Sequence, residues 1–237
     1  KRLAYSIMNE RDDSRVEMIQ FHQSYSYEDF IMGYRPTEGG FQLKYGIFYR
    51  FCKMAQNDPH RPYFFIIDEI NRGNLSKIFG ELLMLIEADK RGHSYAVPLT
   101  YTESKFYVPE NVNIIGTMNT ADRSLAIIDY ALRRRFCFID MEPAFNNLSF
   151  KGFIENKSSE IAGIIIDRMN KLNTSIESDP SLGKGFCIGH SYFCTNEDTI
   201  TMDDYKNIIE YEIIPLLSEY WFDEPDTVRE WTSRLLG

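Results

Sequence analysis

The sequence predicts an α/β protein in which a parallel sheet lies between helices and a helical region follows. Three observations support this prediction. Five consecutive apolar residues at 63–67 run into two acids, and a second, mostly apolar run at 112–118 ends in polar residues. Unbroken apolar runs of this kind are typical of strands buried on both faces, as in a parallel sheet. From about Pro143 onward, the apolar residues repeat at helical spacing instead.

Composition narrows the class of protein. The chain has 237 residues, 43% of them hydrophobic and 26% charged, which is ordinary for a globular protein with a sizeable core. Its net charge of −9 argues against binding nucleic acid by overall electrostatics, because phosphates are neutralised by clustered Lys and Arg. No apolar run approaches the roughly 18 residues of a membrane span, and the first residues do not form a signal peptide. We therefore expect a cytoplasmic protein with no membrane contact.

The cysteines indicate reduced thiols. Cys52, Cys137, Cys187 and Cys194 show no paired C-x-x-C spacing, which favours free thiols over disulfides. A zinc site made of Cys187, His190 and Cys194 would lack a fourth ligand and the usual spacing, so we do not expect one.

Local patterns assign the elements before the central strand. Residues 1–10 place apolar positions on one helical face, and residues 16–21 fit a strand. The aromatic stretch 25–34 fits a helical turn, and the glycine-containing stretch 37–48 fits a small hairpin. A helix then runs to about Gln56, ahead of two prolines that delimit the central strand.

Helices and strands alternate after the central strand. Asn74 is a favourable N-cap for a helix that continues to the break at Gly92. Residues 94–109 fit an inserted hairpin that precedes the second core strand. A helix at about 125–135 and a strand at 136–139 complete the α/β part.

The C-terminal region is predicted to be helical. Apolar residues recur at helical spacing in 154–172 and 205–220, and Pro215 is expected to kink or restart the second of these helices. We therefore expect two regions, 1–142 and 143–237.

The two acids that close the central strand, Asp68 and Glu69, are the first candidates for chemistry. In open α/β sheets, ligands bind beyond the carboxyl ends of the strands, where these residues are expected to lie. In phosphoryl transfer, one carboxylate holds the water shell of Mg²⁺ and a second activates an attacking water. The alternative is a solvated acid pair that ends an ordinary strand, and these residues alone leave both interpretations open.

Asn119 follows the second core strand. A side-chain amide beside the acid pair could hold the attacking water or a phosphate oxygen without adding charge. The alternative is that the stretch 119–122, Asn-Thr-Ala-Asp, is a turn that caps the next helix.

The basic groups are also open to two interpretations. Arg133, Arg134 and Arg135 either stabilise the C-terminus of a helix through its dipole or include an arginine finger, which contacts phosphoryl oxygens from an adjacent subunit. His190, in the helical region, either approaches phosphate or satisfies local backbone groups.

Several strings in the chain resemble one family. They are residues 21–30, 66–72 (Ile-Ile-Asp-Glu-Ile-Asn-Arg), 118–124 (Met-Asn-Thr-Ala-Asp-Arg-Ser), 129–136 (Asp-Tyr-Ala-Leu-Arg-Arg-Arg-Phe), 183–186, 188–193 and 231–237. Together they resemble the AAA+ domain of the McrB family, the GTP-hydrolysing motors of the McrBC restriction systems that act on 5-methylcytosine-modified DNA. The likeness extends over nearly the whole chain.

The resemblance implies an AAA+ P-loop NTPase core followed by a helical lid that closes on nucleotide. It implies that Asp68 is the Walker B residue for Mg²⁺ and that Glu69 acts on the catalytic water. Asn71 lies just beyond them in the family pattern, and Asn119 matches the sensor-1 position.

Further roles and partners follow from the same resemblance. Asp122 and Arg123 complete the signature loop beside the nucleotide, and Arg134 and Arg135 match the finger positions. His190 lies in the lid, and its approach to phosphate is one of the two interpretations left open above. The family implies GTP as substrate, Mg²⁺ as cofactor, a ring expected to be a hexamer, a McrC-like nuclease subunit as partner, and DNA contact through a separate N-terminal domain.

One expected motif is missing. A P-loop enzyme holds nucleotide phosphates with the sequence G-x-x-x-x-G-K-[ST], and this chain contains no such string. In the resembled family, the loop and its strand come just before the helix with which this chain starts. We therefore expect a fragment without the first strand and the phosphate loop, which alone binds and hydrolyses nucleotide poorly.

Two other functions stay open. One is an ATPase remodelling factor of the related MoxR type, and the other is a non-hydrolysing scaffold that holds a nuclease partner. The candidate residues act on phosphate and water, so they do not distinguish guanine from adenine.

Overall fold

The computed structural model describes residues 1–119 and 133–237. The chain divides into two compact units, Lys1–Phe138 and Ile139–Gly237. The first contains a parallel sheet with helices and the second is helical, so the predicted fold class is confirmed.

The first unit has short helices and seven strands in its described part. In chain order they are α1 (Arg2–Met8), β1 (Val16–Gln20), α2 (Tyr27–Phe30), β2 (Met32–Thr37), β3 (Gly40–Tyr45), α3 (Ile47–Gln56), β4 (Tyr63–Asp68), α4 (Leu75–Phe79), β5 (Val97–Pro98), β6 (Lys105–Phe106) and β7 (Val112–Gly116). The main sheet has the order β1-β4-β7 with all strands parallel, whereas β2–β3 and β5–β6 are antiparallel hairpins.

The central strand β4 is buried on both faces. Phe65 and Ile67 join a large core that includes residues of α3 and α4. Phe64 and Ile66 point to the other side, where they pack with residues of α1 and β1. This burial explains why the apolar run of β4 is unbroken rather than alternating.

Two predicted elements of the first unit were wrong in extent. The helix expected to reach Gly92 ends as an α-helix at Phe79, because Gly80 has a left-handed backbone (φ 54°) and a short 3-10 turn follows. The hairpin expected at 37–48 spans Met32–Tyr45 instead, because the strand pairing extends further back than the glycines indicate.

The strand predicted at 136–139 is absent from the described structure. An apolar run becomes a strand only if a neighbouring strand satisfies its backbone groups, and no described strand pairs with these residues. Phe138 and Ile139 are accordingly 42% and 80% exposed.

The second unit is built from helices around one core. They are α5 (Leu148–Lys157), α6 (Ser159–Ser178), α7 (Met202–Ile208), α8 (Ile214–Tyr220) and α9 (Pro225–Leu236), with a π-helical turn at Ile209–Ile213. Pro215 lies in the first turn of α8, which confirms the expected restart. Trp221 and Trp231 are buried in this core.

The structure adds two general facts. All four cysteines are free, and burial raises the pKa of the Cys52 thiol. Among the described helices, none is both long and apolar enough to cross a bilayer.

Candidate functional site

Asp68 is the last residue of β4 and lies at the carboxyl edge of the sheet. Its backbone oxygen accepts a hydrogen bond from Phe21 N at 2.9 Å, which continues the pairing with the chain after β1. Its side chain accepts a hydrogen bond on Oδ1 from the Thr117 hydroxyl. The carboxylate is therefore held in place while only partly buried.

Glu69 has a left-handed backbone, with φ 51° and ψ 45°. This conformation is unfavourable for a residue with a Cβ, and it turns the chain sharply out of the sheet. The side chain is 21% exposed, and Arg72 Nε lies 3.1 Å from Glu69 Oε2. That contact lacks hydrogen-bond geometry, so Oε2 is a buried oxygen with no hydrogen-bond partner among the described residues.

The segment that follows β7 holds this strained turn. Thr117 N donates to Ile67 O, and Ile70 N donates to Thr117 O, each at 2.9 Å. Gly116 allows close packing of Ile70, since a Cβ at Gly116 would lie 2.8 Å from Ile70 Cδ1. The backbone on both sides of Asp68 and Glu69 is therefore fixed by one neighbouring segment.

Asn71 lies in the 3-10 turn, Ile70–Arg72, that follows Glu69. Its Oδ1 atom is buried and has no hydrogen-bond partner in the described part of the chain. Buried polar atoms are nearly always hydrogen-bonded in proteins, so the Asn71 oxygen indicates a place that a ligand or ordered water completes, next to the Glu69 carboxylate that pairs with Arg72.

Asn119 lies three residues beyond the end of β7 and is exposed. Since β7 pairs in parallel with β4, the chain leaves both strands at the same edge of the sheet. The topology therefore brings Asn119 to the edge that carries Asp68 and Glu69. Asp122 and Arg123 lie outside the described residues.

The two predicted finger residues have different surroundings. Arg135 is 16% exposed, and its guanidinium lies 3.0 Å from Glu87 Oε1 within the first unit. A hydrogen bond from Lys90 holds the pKa of Glu87 below its ordinary value, and the charges of Arg135 and Arg134 add to this effect. Arg134 itself is exposed. Arg135 is thus held against its own unit, whereas Arg134 is accessible.

His190 serves local structure in the second unit. Its Nδ1 accepts a hydrogen bond from Ala144 N at 3.1 Å, and its ring packs edge-on against Phe150. This matches the local role that the sequence left open, and an approach to phosphate stays a prediction.

Two protein-family models match the chain. The model of the AAA domain (dynein-related subfamily) matches residues 1–136, which is more than half of the chain. The chain belongs to the AAA family. A second model, McrB, alpha-helical lid domain, matches residues 164–229. The chain thus contains an AAA domain followed by a helical lid of the McrB type.

Relatives from restriction systems support the same assignment. The AAA chain is 55% identical over 246 aligned residues to "Type IV methyl-directed restriction enzyme EcoKMcrB subunit" of Escherichia coli strain K12, covering 100% of this chain and 54% of the relative. It is 27% identical over 132 residues to "Type II restriction enzyme BsuMI component YdiS" of Bacillus subtilis strain 168, covering 50% of this chain and 38% of the relative. The chain spans about half or less of the length of these relatives. It is a homologue of McrB, and its homology is to nucleotide-hydrolysing proteins.

The oxygen atoms at the carboxyl end of β4 fit a magnesium ion. Mg²⁺ prefers hard oxygen ligands, keeps several of its waters, and needs only one or two protein carboxylates. Asp68 supplies a carboxylate whose Oδ1 is already held by a neutral donor, the Thr117 hydroxyl. Groups of three or more His, Cys, Asp or Glu residues able to hold a metal ion are absent from the described residues, and such a group is not required here.

Sequence reasoning missed Thr117. Its hydroxyl contacts Asp68 because β7 and β4 are neighbours in a fixed register, with Gly116 opposite Ile67. A single sequence shows neither the strand order nor the register. The available signal is weak: a hydroxyl residue just after a strand that is expected to adjoin the strand ending in the acids.

Proposed function

We propose that this chain is the GTP-hydrolysing AAA+ motor module of a modification-dependent, methylcytosine-directed DNA restriction complex, in which hydrolysis drives translocation and activates a nuclease. The observation that carries the proposal is the strained turn after the central strand of a parallel sheet, which presents two adjacent carboxylates. The likeness to a methyl-directed restriction subunit supports the biological setting, which we place in the cytoplasm.

In this proposal the residues at the strand edge divide the chemistry. Asp68 holds the water shell of Mg²⁺, and the ion, when bound, neutralises charge on the phosphates. Glu69, whose buried Oε2 lies 3.1 Å from Arg72 Nε, accepts a proton from the attacking water. Asn119 orients that water through its amide. Asn71 offers a second buried oxygen, in the turn that follows Glu69.

The remaining predicted residues act at the rim of the site in this proposal. Asp122 and Arg123 line the nucleotide, and His190 approaches it from the lid. Arg134, supported by Arg135, supplies positive charge to the nucleotide of an adjacent subunit. The assembly is a ring, expected to be a hexamer, that binds a McrC-like nuclease subunit. DNA is contacted by another domain, which agrees with the net charge of −9 on this chain.

Substitution of Glu69 tests the proposal. In the full-length protein, Glu69→Gln should lower kcat for GTP by about 10²-fold to 10⁴-fold, because the water loses its proton acceptor. Nucleotide affinity should not change, since the substitution keeps the size of the side chain. Turnover and nucleotide binding are measured with GTP and with ATP, and Glu103→Gln, at an exposed position of the same unit, is the control.

The result separates the three candidate functions. Unchanged turnover in Glu69→Gln would remove Glu69 from the mechanism. Faster turnover of ATP than of GTP by the wild type would favour the MoxR-type alternative. No turnover of either nucleotide, with the nuclease partner present, would favour the scaffold.

A further inference from the structure

The carboxylate of Asp68 is oriented by a side chain from outside its own strand. The Thr117 hydroxyl donates a hydrogen bond to Asp68 Oδ1, and Thr117 is the first residue beyond β7. A carboxylate has two oxygens, each able to accept more than one hydrogen bond. A donor on Oδ1 therefore selects one orientation of the carboxylate and leaves Oδ2 for another partner.

Thr117 is itself fixed relative to β4 before its hydroxyl acts. Its N–H donates to Ile67 O and its carbonyl accepts from Ile70 N, both at 2.9 Å. These two bonds lie on either side of Asp68 and Glu69 in the chain. A change confined to the hydroxyl would leave both backbone bonds in place.

The chemical type of the donor matters. Arg or Lys at this position would also orient Asp68, but its positive charge would compete with a bound cation for the carboxylate. A hydroxyl donates one hydrogen bond and adds no charge, so the carboxylate keeps its full attraction for a divalent ion. Partners of metal-ligating carboxylates act in this way at many metal sites.

We propose that Thr117 is a positioning residue for the divalent cation: its hydroxyl holds Asp68 Oδ1 so that Oδ2 serves the water shell of Mg²⁺. This inference rests on the proposed function, in which Asp68 holds the ion. It assigns to Thr117 an effect on metal affinity rather than on the fold.

Two substitutions at Thr117 separate these effects. Thr117→Val keeps the β-branched shape and removes the hydroxyl, and Thr117→Ser keeps the hydroxyl and removes a methyl group. In the full-length protein with a non-hydrolysable GTP analogue, Mn²⁺ binding is measured by electron paramagnetic resonance. The Mg²⁺ concentration for half-maximal turnover and kcat at saturating Mg²⁺ are measured alongside, together with thermal stability.

Thr117→Val should weaken Mn²⁺ binding and raise the Mg²⁺ requirement by about 10-fold to 100-fold, the usual cost of losing a residue that orients a metal ligand. Saturating Mg²⁺ should restore most of kcat, and Thr117→Ser should behave as the wild type. Unchanged metal binding in Thr117→Val would overturn the inference. Equal losses in Thr117→Ser and Thr117→Val would also overturn it, because the shape of the side chain and not the hydroxyl would then matter.

Asp68→Asn distinguishes failure of this inference from failure of the proposed function. If Asp68→Asn binds Mn²⁺ as the wild type does, the metal site is elsewhere and both proposals fail. If Asp68→Asn loses the metal while Thr117→Val retains it, only the role of Thr117 is excluded.

Discussion

At the scale of single residues, Glu69 shows a conflict between local stability and chemistry. Its left-handed backbone would suit glycine, yet the position carries a carboxylate. A residue other than glycine held in this backbone conformation destabilises the fold by about 1–3 kcal/mol. Such residues persist where the surroundings impose the conformation, often at functional sites. Here the surroundings are the hydrogen bonds to Thr117, which keep the turn in place.

This strain is measurable. Glu69→Gly and Glu69→Ala both remove the carboxylate and its contact with Arg72, but only Ala keeps a Cβ. Glu69→Gly should therefore give a free energy of unfolding about 1 kcal/mol higher than Glu69→Ala, the reverse of the order expected in a helix or strand. Chemical denaturation measures the difference in the free energy of unfolding, and hydrogen exchange in β4 measures its local effect. Lower stability of the Gly variant would show that the left-handed turn is not imposed by the fold.

The sequence predicts some site residues better than others. Asp68 and Asn119 follow apolar runs, so their place at a sheet edge can be predicted from local pattern. The contact between Thr117 and Asp68 cannot, because it depends on strand register, and the partner of Arg135, Glu87, is distant in the chain. The left-handed backbone of Glu69 gives no local signal, since glycine is the residue expected there.

At the scale of elements, the same division holds between local and distant causes. β4 forms as predicted because its residues are apolar on both faces, and both faces are buried in the fold. The run at 136–139 has equally good strand residues, but a strand also requires a neighbour for its backbone groups. The helix after Asn74 ends early because Gly80 takes up a backbone conformation that its position in the apolar pattern does not predict.

The close contact between β7 and the turn after β4 gives an element-scale prediction. Gly116→Ala places a Cβ 2.8 Å from Ile70 Cδ1 and 3.1 Å from Ile70 Cγ2. Because the β-branched side chain of Ile70 has few alternative rotamers, it cannot easily move away from the added Cβ. The substitution should therefore lower the free energy of unfolding of the first unit by about 1 kcal/mol or more. It should also lower turnover, since Ile70 follows Glu69 directly.

A matched control exists in the second unit. Gly163 lies on the exposed face of α6 with no atom within 4 Å of its added Cβ. Gly163→Ala should therefore raise stability by about 0.5–1 kcal/mol, because alanine restricts the unfolded chain more than glycine does. Calorimetry of both variants measures the two effects, and the same sign in both would contradict the packing argument.

At the scale of the whole molecule, the two candidate fingers raise the question of assembly. Arg135 pairs with Glu87 in its own unit, whereas Arg134 is exposed. In a ring, a residue that serves the neighbouring nucleotide has to be accessible in the single chain. On this ground we expect Arg134 to contribute to the neighbouring site, with Arg135 supporting it through its pair with Glu87.

Mixed assemblies test this expectation. Arg134→Ala and Glu69→Gln should each lower turnover. For Arg134→Ala the expected loss is about 10³-fold, the effect of removing an arginine finger. Mixing the two variants should restore part of the activity, because some interfaces then combine an intact Arg134 with an intact Glu69. GTP turnover of the mixture is compared with that of each variant alone, and chromatography confirms assembly. No recovery in assembled mixtures would place the arginine's effect within its own subunit.

The positions of the two tryptophans have a practical consequence for such experiments. Trp221 and Trp231, the only two in this chain, are both in the core of the helical unit, whereas the carboxylate turn belongs to the sheet unit. Indole emission from this chain therefore reports on the helical unit. A change in the emission of these two indoles when nucleotide is added originates in the helical unit, so their fluorescence can show whether that unit responds to occupancy of the site at the sheet edge.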